Sequence, residues 1–77
     1  MPLPRDRETI HRLAYEIYVK EVRGQLTPHD DGRWVAVDAF SGNYRIDYSA
    51  RSAVDMLKYR HNCDSSTIWI HQINLDL

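Results

Sequence analysis

The chain has 77 residues, a formal net charge of −1, 43% hydrophobic side chains and a single cysteine, Cys63. A chain this short hides only about 60% of its unfolded surface. The lone cysteine excludes an intramolecular disulfide framework and fits a reducing, cytoplasmic setting, and the balanced charge lacks the basic surface that nucleic acid requires of a partner.

The N-terminal stretch MPLPRDRETI has no apolar signal region, and no apolar run approaches the length of a membrane span, so no membrane partner is expected. Residues 1–5, with Pro2 and Pro4, read as a flexible arm, and residues 6–77 as one small α+β domain. A single core in this size range supplies roughly 3–5 kcal/mol, and small natural chains reinforce it with disulfides, metal or a second subunit. With disulfides excluded, a subunit interface is the expected reinforcement.

A first helix is predicted from Asp6 or Arg7 to Arg23, because Ile10, Leu13, Ala14, Ile17 and Val22 recur at helical spacing and Gly24 stands where a C-terminal stop belongs. Tyr15, Tyr18 and Val19 spread its apolar surface beyond the stripe of about 100° that one core face needs. Tyr15, Tyr18, Val19 and Val22 are therefore the expected partner surface, against the plainer reading in which the tyrosines snorkel at the core edge. QLTPHDDG supplies loop chemistry through Pro28 and Gly32. In the strand that follows, Trp34, Ala36 and Asp38 alternate with Val35, Val37 and Ala39; both sets are largely apolar, so it should be central and covered on both faces. Tyr44, Ile46 and Tyr48 alternate with Arg45 and Asp47 in a half-exposed second strand. Gly42 and Asn43 between the two tolerate positive φ and predict a tight hairpin.

Ser49 is a good N-cap for a second helix carrying Ala50, Ala53, Val54 and Leu57, which Asn62 should end. Thr67 to Ile73 read as a third strand. The order is α-β-β-α-β, and a helical crossover before the last strand predicts a three-stranded mixed sheet, order 2-1-3, covered by helices.

The constellations that resemble chemistry have structural competitors. An aspartic protease turn needs Asp, Ser or Thr, and Gly contiguously, whereas Ala39 and Phe40 separate Asp38 from Ser41 and Gly42. Asp47 stands where it can cap free amides near the second helix. The scattered serines lack a nucleophile elbow, and glycines at 24, 32 and 42 form no phosphate cradle. HDD at 29–31 is ligand-rich but contiguous. The alternative metal set is His61, Cys63 and His71, which needs the third strand to bring His71 beside the end of the second helix. Arg51 and Lys58 share a helix face with Asp55, whose i, i+4 pairing to Arg51 neutralises a basic patch. No cofactor and no catalytic residue is expected.

The segment GRWVAVDAFSGNYRID, continuing through ARSAVDMLKYRHNCDSSTIWI, resembles a group of short uncharacterised bacterial proteins, many of them cyanobacterial. Gly32, Trp34, Val35, Ala36, Val37, Asp38, Ser41, Gly42, Tyr44, Ile46 and Asp47 carry the likeness, with Ile68 and Trp69 in the final strand. CDSS and IHQINLDL stand where such proteins often have Pro-Asp-Ala and Arg-x-Gly. The resemblance implies no activity and is compatible with a small accessory protein or an antitoxin-like regulatory subunit. The aromatic residues exceed what so small a core easily encloses, so the sequence points to a non-catalytic interaction protein that meets itself, as a dimer, or another protein.

Overall fold

The computed structural model describes residues 6–62 and 64–75; the expected arm at residues 1–5, and Cys63, lie outside them. The first helix, α1 (Arg7–Ile17), starts at Asp6, whose carboxylate accepts the Thr9 N–H (3.0 Å) and the Thr9 hydroxyl (2.7 Å). These bonds hold the Asp6 carboxyl below its usual range and satisfy donors that the first helical turn leaves unpaired.

Beyond Ile17 the helix widens. Tyr18–Val22 form a π turn, in which the Arg23 N–H donates to the Tyr18 carbonyl, and a 3-10 turn follows at Arg23–Gln25. The buried residues of this segment are Ile10, Ala14, Tyr18 and Val22, each four apart. In a continuous α-helix a four-residue step overshoots one turn by about 40°, and three such steps would carry Val22 well off the core face. The wider π turn corrects that drift. The predicted helix through Arg23 is therefore three helical forms in succession. Gly24 lies inside the final turn and lacks the positive φ of a stop glycine.

The sheet comprises β1 (Trp34–Asp38), β2 (Tyr44–Asp47) and β3 (Ile68–Gln72) in the order β2-β1-β3. The α+β class and the central place of β1 are as expected. The mixed character is corrected, since β1 pairs antiparallel with both neighbours. β2 and β3 run parallel to each other but with β1 between them, so the helical connection skips a strand and creates no parallel pair.

Register sorts the side chains onto two faces. Val35 stands opposite Ile46 and His71, and Val37 opposite Tyr44 and Trp69, so these six share one face. That face packs on Ile10, Ala14, Tyr18 and Val22 of the first helical segment, with Ile73 closing the cluster. The other face receives α2 (Ala50–His61), where Ala36 meets Ala53 and Leu57. The two alanines let the helix approach closely, and Leu57, fully buried, is the large anchor, contributing roughly 1.5–3 kcal/mol. Ser49 caps α2 by accepting the Ser52 N–H (3.1 Å), and Asn62 ends it in the left-handed region at φ 53°. Among the described residues no helix is long and apolar enough to cross a membrane.

Candidate interaction surface

The residues that most resembled a catalytic turn build a hairpin. Asp38 is 7% exposed; its carboxylate accepts the Phe40 N–H (3.1 Å) and the Ser41 hydroxyl (2.9 Å), while Ser41 Oγ accepts the Asn43 N–H (3.2 Å). The Gly42 N–H donates to the Asp38 carbonyl (2.9 Å), and Gly42 itself sits at φ 82°. Side chain and backbone of Asp38 thus organise the loop that joins β1 to β2. Asp47 accepts the neighbouring Tyr48 N–H (2.7 Å), just ahead of the Ser49 cap.

HDD is likewise committed to the loop. Asp30 accepts the Thr27 N–H (2.9 Å), and Asp31 accepts the Leu75 N–H (3.0 Å), tying the entry of β1 to the segment after β3. Of the alternative metal set, His61 is exposed in the last turn of α2, whereas His71 lies on the sheet face packed by the first helix. The two imidazoles stand on opposite sides of the sheet, and among the described residues no three His, Cys, Asp or Glu side chains converge on a metal position. Arg51 and Asp55 stand 3.9 Å apart, both well exposed, as their spacing predicts.

What the fold does assemble is a band of rings along the side of the molecule where the first helix overhangs β3. Trp69 and His71, two apart on one face of β3, stack at 5.1 Å and 8°. The Tyr18 ring meets both at 6.0 and 5.1 Å, and His11 and Tyr15 close on Trp69 at 5.4 and 6.2 Å. Burial pushes the Tyr18 phenol up. The His71 imidazole is pulled down, by burial first and then by His11 and Arg23. A neutral imidazole suits this apolar stack, because protonation would place a cation in a half-buried site. A shallow groove beside the band is lined by Arg7, Ile10, His11, Ser65, Trp69 and Ile70.

The expected partner surface divides. Tyr18 and Val22 are buried in this chain's own core, because the π turn rotates them inward, and so belong to no outer face; Tyr15 and Val19 remain exposed at 44% and 38%. His11 and Tyr15, four apart, flank Trp69 on the β3 side, with exposed Val19 four residues further along the helix, while exposed Ile70, opposite Ala36, projects from the same sheet edge on the α2 face. The sequence reading missed His11 and Ile70. His11 was legible as the i−4 neighbour of Tyr15, whereas the exposure of Ile70 depends on β3 being an edge strand. Comparison with protein-family models, with curated proteins and with solved structures gave no match to this chain.

Proposed function

We propose that this protein is a non-catalytic subunit of the cytoplasm that works by burying the side formed by the first helix and β3 against a protein partner. The observation that carries the reading is the exposed Tyr15 beside the ring stack around Trp69, with exposed Val19 further along the same helix and exposed Ile70 on the other face of the same edge strand. Aromatic side chains of this kind dominate interface cores. Asp30, Asp31, Asp38, Ser41 and Asp47, which suggested chemistry, are engaged in loop and cap hydrogen bonds within the chain, which favours recognition as the activity.

Replacing Tyr15 by a photoreactive phenylalanine analogue in the native cell tests this. A discrete covalent adduct is expected from position 15 and none from Tyr59, which is 85% exposed on α2. No adduct at position 15, or equal adducts at both positions, would overturn the reading.

A further inference from the structure

We infer that the open edge of β3 pairs with the same edge of a second copy of this chain, about a two-fold axis at Ile70; this rests on the interface reading above and names its occupant.

The backbone sets the geometry. The Ala39 N–H donates to the Thr67 carbonyl (3.0 Å) and the Ile73 N–H to the Arg33 carbonyl (2.7 Å). Antiparallel ladders alternate, so the odd-numbered residues of β3 turn their amides toward β1, and Ile68, Ile70 and Gln72 turn theirs outward. The Ile68 N–H, pointing away from β1, bends back to the Ser65 carbonyl. Outward groups therefore remain at the Ile68 carbonyl and at both backbone groups of Ile70 and Gln72. A two-fold axis at Ile70 matches this set to itself. Each Ile70 N–H meets the second copy's Ile70 carbonyl, and each Gln72 N–H meets the second copy's Ile68 carbonyl. The only outward amide that such pairing leaves over is the one Ser65 already takes.

The two edges of the sheet are not alike. β2 has four residues and carries Arg45 and Asp47, the charged interruptions that keep an edge from pairing. β3, IWIHQ, holds no Asp, Glu, Lys, Arg or Pro, and its neighbouring imidazole is held toward neutrality by burial. Two copies of β3 meet without like-charge repulsion.

The same axis accounts for the helix stripe. The first helix packs over β1 and β3. Adjacent strands lie about 4.8 Å apart, so helices sitting over the β1–β3 gap of each copy would run about 10 Å apart, the spacing of packed helices. His11 and Tyr15, which meet Trp69, are the residues at that flank, and exposed Val19 follows along the helix. An unrelated extended peptide would satisfy the edge amides but leave this stripe uncovered, whereas a second copy covers both.

Sedimentation equilibrium on the full chain tests the inference, alongside Ile70→Lys and the control Tyr59→Lys. Wild type and Tyr59→Lys should dimerise alike. Ile70→Lys should weaken the dimer about a hundredfold or more, because two ammonium groups would face each other on the axis. If Ile70→Lys fails to fold, Ile70→Cys in a Cys63→Ser chain replaces it. Directly opposed residues in a hydrogen-bonded pair lie about 5.5 Å apart, within the disulfide range of about 4.4–6.8 Å, so mild oxidation should trap a covalent dimer that Tyr59→Cys does not give. A wild type that stays monomeric at high micromolar concentration overturns self-pairing. So does a dimer indifferent to residue 70 in both formats. In either case an adduct from position 15 would leave the broader interface reading standing.

Discussion

Replacing Asp38 by alanine should unfold the hairpin from within. The carboxylate is 7% exposed and accepts hydrogen bonds from the Phe40 N–H and the Ser41 hydroxyl. Bonds to a charged group are worth roughly 1.5–3 kcal/mol each, and the gain from no longer burying a carboxylate offsets part of their loss. A net cost of roughly 2–4 kcal/mol remains. For a domain of this size that lowers the melting temperature by roughly 8–32 °C, at about 4–8 °C per kcal/mol. Asp38→Asn keeps one acceptor oxygen and should fall between Asp38→Ala and wild type. Urea unfolding at 25 °C, followed by far-UV circular dichroism, gives the three midpoints. Unchanged midpoints, with loss of the adduct from position 15, would refute the argument, for Asp38 would then belong to a working site and not to a turn.

Gly42→Val should cost roughly 1–2 kcal/mol through backbone strain alone, since the residue sits at φ 82° and an added Cβ would meet no heavy atom within 4 Å; a urea titration reads it, and an unshifted midpoint would show that the loop relaxes to another turn. His71 predicts a pH dependence. Burial holds its folded pKa below the ordinary imidazole value of about 6.5, so the unfolded chain binds more protons in the window beneath that value. Stability is then full above that value and declines as pH falls through the folded pKa. His71→Gln should flatten this part of the urea-midpoint profile between pH 7.5 and 5, and an unaltered slope would assign the effect to another group.

Local structure was largely legible because short-range chemistry dictates it. Ser49 and Asn62 bound α2 by capping and by tolerance of positive φ, Gly42 turns the hairpin, and the doubly apolar Trp34–Ala39 stretch placed β1 at the centre. What escaped the sequence depends on long-range geometry. The four-residue spacing of Ile10, Ala14, Tyr18 and Val22 fits a helix, yet only packing against Val35 and Val37 shows that a π turn keeps all four inside. A helix that seemed apolar on several faces therefore has a broadened inner face, and its outer apolar surface shrinks to Tyr15 and Val19. Strand direction was missed for a similar reason: the crossover through α2 fixes β3 parallel to β2, and pairing with β1 between them makes every neighbour antiparallel. The same register that sets His71 beside Trp69 turns it away from α2 and His61, a separation that residue spacing alone does not reveal.

Amide exchange at Ile70, followed residue by residue in the intact chain across a wide range of concentration, tests most directly whether the β3 side is the working interface. The Ile70 N–H points away from β1, so a monomer leaves it open to solvent. The account predicts exchange at the rate of an exposed amide in dilute solution. As concentration rises, exchange should slow by about a hundredfold or more at Ile70, with Gln72 following and the exposed residues of α2 unchanged. Unprotected exchange at Ile70 under conditions where sedimentation shows a dimer would contradict it, placing the contact elsewhere on the molecule.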